Sequence, residues 1–396
     1  MRKLLHLAGL MLLGTAAYGQ GLVSGKVLDK QTRQPVPYAS VAVLGSAAGT
    51  TSNAEGEFVL TLKGLPAKLV VSQLSYGRDT VAVAAAGALG AIALAPAPVT
   101  LPAVEMGSYT AELLRKAYRE LQRSYPTKRY GQAFYRQVTY LDGTPTEVQE
   151  MLWHAKAGNA GLEGTALAQA RYAEQKKALL NYKNFSYFTK EFNIYSTQGD
   201  TARKGAILSP TTTEFYTLRL VGLTQSGGQN LAEVAFVGKP AFNPQHVQGA
   251  LIIDTDTYQI LRFKVGIDRE MRSNNPTFKF KEGRMEYEIV FRPTATGAVL
   301  DHLTTTHTVA MGRLLKPDVQ LKASALAYFY DWQATPPAGL TYAAPNGKES
   351  DIAAVKQAAY DPVFWRDNPV VKRTSLEEEI IRAFEQQKSF GTMLTN

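Results

Sequence analysis

The chain has 396 residues and not one cysteine. That absence excludes disulfides, acylation of an N-terminal cysteine and every thiolate metal site. Histidine is scarce as well: His6, His154, His246, His302 and His307 are the full set. His302 and His307 stand five apart, which on a strand turns them to opposite faces, and no HExxH pair occurs. Asp254 and Asp256 open like a calcium loop, but the loop glycine is missing and the twelfth position is Val265. A hairpin turn is the expectation there. No GxSxG elbow and no P-loop is present, and the glycines of "GNAGLEG" have no spacing that cradles a phosphate. No catalytic, cofactor-binding or metal-ligating residue is therefore assigned. Long apolar runs are lacking too. The longest, Leu4 to Leu13, is half of the roughly 20 residues a membrane-spanning helix needs, so no transmembrane segment is expected once it is removed.

What is present begins with an export pattern. Arg2 and Lys3 precede that short apolar run, and Ala17 and Gly19 supply small residues before Gln20. Residues 1–19 read as a signal peptide, which predicts an exported protein, periplasmic or outer-membrane associated. The formal charge is +9 and falls to +7 without Arg2 and Lys3. The basic residues are scattered, so they read as a solvated surface. Acidic polysaccharide or anionic lipid head groups suit such a balance, and nucleic acid is not expected. Twenty tyrosines suit strands, and also suit the wall of a sugar or lipid site.

From Gly25 to Leu62 the sequence reads "GKVLDKQTRQPVPYASVAVLGSAAGTTSNAEGEFVLTL". Short alternating runs are broken by Pro35, Pro37 and the Asn53–Gly56 turn. In "YASVAVLG", Ala39, Val41 and Val43 point one way, and Tyr38, Ser40, Ala42 and Leu44 the other. This spacing predicts a β-sandwich over residues 21–98. The run from "GKVLD" through "GTTSNAEGEFVL" to "LVVSQLSYG" resembles a carboxypeptidase-regulatory-like domain, a transthyretin-like sandwich found at the N-termini of exported Gram-negative proteins. Asn53 departs from the family, which usually has Asp there. The resemblance is to an accessory domain, so it implies no peptidase activity.

An Ala/Pro-rich stretch, residues 99–107, is expected to be a linker. In the next segment Leu113, Leu114, Ala117, Tyr118 and Leu121 share one helical face, and Pro126 ends the helix. Eight to ten strands are then expected between residues 130 and 332. The cleanest, "MEYEIVFR", turns Met285, Tyr287, Ile289 and Phe291 to one face and Glu286, Glu288 and Arg292 to the other. In "GALIIDTDTYQILRFKV", a hairpin is expected with Leu261, Phe263 and Val265 inward. The stretch "GLEGTALAQARYAEQKKALL" is ambiguous: its composition favours helix and its surroundings favour strand. At the C-terminus, Ser375 and Glu378 are expected to form a capping box, with Leu376, Ile380, Ile381 and Phe384 as the buried stripe. The fold class expected is mainly β: the N-terminal sandwich, then a large curved antiparallel sheet over residues 108–396 with a few helices. "SYPTKRYGQAFYRQ", the 249–265 hairpin and the C-terminal segment together resemble exported bacterial proteins that pair such a sandwich with a domain of unknown function. The hairpin is similar to the half-barrel of lipoprotein-localisation chaperones.

These features point to a non-enzymatic envelope protein with a binding or scaffold role. Its partner would be an envelope protein or a lipid-like ligand. Met285, Tyr287, Ile289 and Phe291 are the candidate lining of a cavity in the sheet. An apolar-ligand carrier and a hydrolase of envelope polymers are the alternatives.

Overall fold

The computed structural model describes residues 21–46, 48–100, 106–175, 182, 184–195, 206–242, 245–269, 278–294, 297–313, 316–358, 360–367, 370–387 and 389–392. The expected signal peptide lies outside the described residues, and so do residues 101–105 of the expected linker.

The first body contains β1 (Gly21–Asp29), β2 (Ser40–Val43), β3 (Gly49–Thr51), β4 (Glu57–Leu62), β5 (Ala67–Ser72), β6 (Asp79–Val83) and β7 (Gly87–Leu94). They form two sheets, β4-β1-β7 and β3-β2-β5-β6. Only the β1–β7 pair is parallel. Alternation fills the space between the sheets: Val23, Val27, Val41, Phe58, Leu69 and Val71 are all buried there.

The second body is a large open sheet. Its long strands are β9 (Arg129–Leu141), β10 (Thr144–Gly158), β11 (Gly161–Glu174), β12 (Tyr216–Ser226), β13 (Gln229–Gly238), β14 (Gln248–Asp254), β15 (Ile260–Arg269), β16 (Phe278–Thr294), β17 (Gly297–Arg313) and β18 (Lys316–Gln333). The short β8 (Val99–Thr100) pairs with Leu223 and Thr224 on the far edge, giving the order β11-β10-β9-β18-β17-β16-β15-β14-β13-β12-β8. Every pair is antiparallel, and the edge strands β11 and β8 are not joined. The ambiguous 161–180 stretch is strand β11 as far as Glu174; hydrogen bonding to β10 overrides its helical propensity.

Helices close both faces. On the inner face α1 (Met106–Ser124) buries Leu113, Leu114, Ala117, Tyr118 and Leu121 against the sheet, as their spacing predicts. α2 (Ser186–Glu191), α3 (Thr212–Phe215) and α4 (Asp351–Gln357) lie along the same body. Phe185 and Val355 are buried in the inner core. On the outer face are α5 (Pro362–Asp367), α6 (Ser375–Gln386) and α7 (Ser389–Thr392), whose Ile380, Ile381, Phe384 and Phe390 cover Val138, Val148 and Ala173.

Three expectations need correction. Leu261 does not face inward with Phe263 and Val265. The β14–β15 register slips between Ile252 and Ile253, and the extra residue, Leu261, packs with Leu231 and Ile252 instead. A one-residue bulge turns a side chain to the opposite face. The capping box of α6 starts one residue earlier: Thr374 caps and Glu377 answers it. Thr374 holds the extended φ/ψ that an N-cap needs, whereas Ser375 is already helical. Leu376, in the first turn, is exposed, and only Ile380, Ile381 and Phe384 form the buried stripe.

Candidate ligand-binding cleft

The sandwich is fastened to the outer face of the sheet by the segment 370–375. Thr50 Oγ1 donates to the Val370 carbonyl (2.9 Å), and Asn53 Nδ2 donates to the Arg373 carbonyl (3.0 Å). Lys372 Nζ pairs with Glu57 Oε2 (2.7 Å), and Ser375 donates through N and Oγ to Glu55 Oε2. The same segment is tied to the sheet. Arg136 donates to the Val371 carbonyl (3.2 Å) and to Glu377 Oε2 (3.1 Å). Asn53 also accepts from the Glu55 and Glu57 amides, which shapes its own turn. An Asp there shapes the turn equally well but has no donor for Arg373. The departure from the family thus coincides with a bond between the two bodies.

Beneath this fastening lies the ion cluster that anchors it. Glu150 of β10 is bound by Arg136 (2.7 Å) and Arg171 (2.6 Å), all three buried. Burial raises the Glu150 pKa, but Arg171 and Arg136 outweigh it and hold the carboxyl down at about 2.

Beside the fastening, a cleft of about 480 Å³ separates the sandwich from β15, β16 and β17. Its sandwich wall is the second set of the "YASVAVLG" alternation: Tyr38, Ser40, Ala42 and Leu44, joined by Val70 and Ser72 of β5. Small side chains there leave the gap open. The sheet wall carries Arg262, Lys264, Glu288, Val290, Asp301 and His302. A bulge in β17 sets the last two. Val290 pairs with His302 and Phe291 with Leu300, so Asp301 is the extra residue. Leu300 and Leu303 keep to the inner core while Asp301 and His302 both border the cleft. His302 Nδ1 lies 2.9 Å from Asp301 Oδ2, and Arg292 Nε donates to Asp301 Oδ1 (3.3 Å). Opposite them Tyr38 holds a left-handed backbone, φ 54, with its ring 5.3 Å from the His302 ring. That conformation costs on the order of 1–3 kcal/mol for a non-glycine residue and persists only where surrounding contacts fix it. Burial, then the charges of Glu377 and Glu288, pushes the Tyr38 hydroxyl up to about 12.

At the cleft's rim, Gly227 and Gly228 join β12 to β13 with φ of 58 and 81, the pattern of a type I′ turn. The Arg78 guanidinium lies against this turn, where a Cβ on Gly227 would stand 3.4 Å from Nη2, in ordinary contact. Ser226 Oγ donates to the Tyr76 carbonyl, holding this hairpin to the sandwich.

Of the four residues singled out from the sequence, only Phe291 also borders the cleft, and the main body of all four lies on the other side of the sheet. Met285, Tyr287, Ile289 and Phe291 are together on the inner face, each less than 8% exposed. The Phe192 ring, just beyond α2, stacks on Tyr287 at 4.6 Å and 11°. The position is packed by protein. Phe291 alone borders a smaller pocket of about 190 Å³, beside Leu121, Ile260, Leu300 and Trp332. Glu286 and Glu288 are on the opposite face as expected, paired with Arg284 and Arg262. His302 and His307 do face opposite ways: His307 lies against Tyr182 and Phe185 on the inner side. Asp254 caps its turn, accepting from the Asp256 and Thr257 amides. The cleft was missed because its walls lie far apart in sequence, within residues 37–78 and residues 226–302. The one local signal was the small, polar-to-apolar second face of "YASVAVLG".

The inner face also buries a polar group that no sequence pattern marks. Glu147 of β10 accepts from Gln137 Nε2 (3.3 Å) and from the Tyr182 amide (3.2 Å). Burial pushes its carboxyl up to about 7, although the Tyr182 amide draws it down.

Residues 23–102 match the model of the CarboxypepD_reg-like domain family. The sandwich is therefore a domain of that class, in agreement with its two-sheet structure. No curated protein matches the chain. Among solved structures, a DUF1329 family protein from Desulfovibrio piger is 8% identical, covering 60% of this chain and 96% of its own, with a TM-score of 0.24. A mutant porin of Rh. blastica is also 8% identical, covering 51% and 99%, with a TM-score of 0.10. At these TM-scores neither likeness bears on function.

Proposed function

We propose that this is an exported, non-enzymatic binding protein of the Gram-negative envelope, and that the cleft between sandwich and sheet is its binding site. The export pattern of residues 1–19 and the regulatory-like sandwich support the location. One observation carries the site: an open volume of about 480 Å³ between two bodies that are fastened together next to it. That volume lies within the range of roughly 300–1,000 Å³ typical of ligand pockets, and domain interfaces are where such pockets concentrate. The inner face of the sheet is the weaker candidate, because Phe192 occupies the space over Tyr287. Tyr38, His302 and Asp301 have the look of a reactive set. A tyrosine hydroxyl raised to about 12 stays protonated at neutral pH, where it serves as a hydrogen-bond donor and not as a nucleophile.

Native mass spectrometry of the full chain, purified from envelope without detergent, tests the reading. A non-covalent adduct is expected on the wild type and lost in Ala42→Phe, which fills the cleft from β2. An adduct equally abundant on both, or on neither, contradicts it.

A further inference from the structure

We infer that the cleft takes an anionic group carried on an apolar chain, with Arg78 and Lys264 holding the anion. The inference rests on the cleft being the binding site, as proposed above.

The charges around the cavity do not balance. Its border carries four cations, Arg78, Arg262, Lys264 and Arg292, against two carboxylates, Glu288 and Asp301. Both carboxylates are already engaged. Arg262 takes Glu288 at 2.5 Å, although Lys264 is its cross-strand neighbour. Asp301 is shared by Arg292 and His302. Arg78 and Lys264 have no ion-pair partner among the described residues. They come from different walls, Arg78 from the chain between β5 and β6 and Lys264 from β15. Like charges bordering one cavity repel each other, and an anion bound between them turns that repulsion into attraction. Both side chains are exposed, and both border the same gap.

The rest of the border is not suited to a free ion. Ala42, Val70, Leu74, Leu231, Val290 and Pro293 give it an apolar stretch on both walls. Ser40 pairs with Ser72 and Ala42 with Val70, so the β2–β5 surface facing the gap is a floor of small side chains. Such a floor accommodates a chain of methylenes, whose removal from water favours binding. An inorganic anion would leave that surface wet, and an uncharged chain would leave both cations without a partner.

Isothermal titration of the full chain with dodecyl phosphate, inorganic phosphate and dodecanol separates these elements. Dodecyl phosphate is expected to bind at least ten-fold more tightly than either of the others. The double variant Arg78→Gln/Lys264→Gln should weaken dodecyl phosphate ten-fold or more and leave dodecanol unchanged. Ala42→Phe should abolish binding with the melting temperature retained. If that variant does not fold, Ser72→Leu on the adjacent strand blocks the same floor. Full loss in the blocked variant with none in the charge variant would overturn the anion assignment while leaving the cleft as the binding site. Undiminished binding in the blocked variant would instead remove the cleft itself. Inorganic phosphate binding as tightly as dodecyl phosphate would overturn the apolar-chain half, pointing to a free anion as the source. Failure of dodecyl phosphate to bind overturns the inference outright.

Discussion

Asn53 does two jobs with one side chain: its oxygen shapes the sandwich turn and its nitrogen reaches the Arg373 carbonyl. Asn53→Asp keeps the first and removes the second, setting a carboxylate oxygen against a carbonyl. The expected loss is about 1–3 kcal/mol, read as a lower urea midpoint with the slope unchanged. An unchanged midpoint would mean the bond does not fasten the two bodies. Glu147 gives a second test at this scale. Its carboxyl titrates near 4.5 when unfolded and at about 7 when folded, chiefly through burial. Between these values the folded chain binds more protons than the unfolded one, so stability from this group falls as pH rises, by up to about 1.4 kcal/mol per unit. Glu150 acts in the opposite sense and at lower pH. Its contribution is complete above 4.5 and is lost as pH falls toward 2. Unfolding measured from pH 5 to 8 should therefore show a declining stability that Glu147→Gln flattens. The same slope in both proteins would assign the decline to another group.

Strands and helices with strong periodicity were legible from the sequence alone. α1, the regular alternation of β16 and the sandwich strands follow from which residues are apolar and at what spacing. Leu261 was misplaced because a bulge is a property of the paired strand and leaves no mark in one-strand alternation. The cap of α6 was off by one because Thr374 and Ser375 are both good caps, and only the backbone separates them. Tyr287 was legible as an inward residue but not as a covered one, since Phe192 arrives from a segment distant in sequence. Truncating it by Tyr287→Ala should cost roughly 3–5 kcal/mol, the price of a cavity in a filled core. A loss below about 1 kcal/mol, with a fluorescent fatty acid bound by the wild type, would reinstate the inner face as a ligand cavity.

At the scale of the whole molecule, the sandwich and the sheet are connected through the chain that passes β8, through the segment 370–375 and through the Ser226–Tyr76 bond. Cutting the first connection should not separate them. With a protease site inserted between residues 101 and 105, the cleaved chain should elute as one species, and Asn53→Asp should favour its dissociation. Two separate peaks from the otherwise unaltered cleaved chain would show that the fastening is too weak to shape a cleft. The cleft is the centre of the account, and a crystal structure of the full chain grown with dodecyl phosphate examines it most directly. The phosphate is expected beside Arg78 and Lys264, with the chain along Ala42 and Val70. Electron density for the ligand on the inner face, displacing Phe192 from Tyr287, would contradict it.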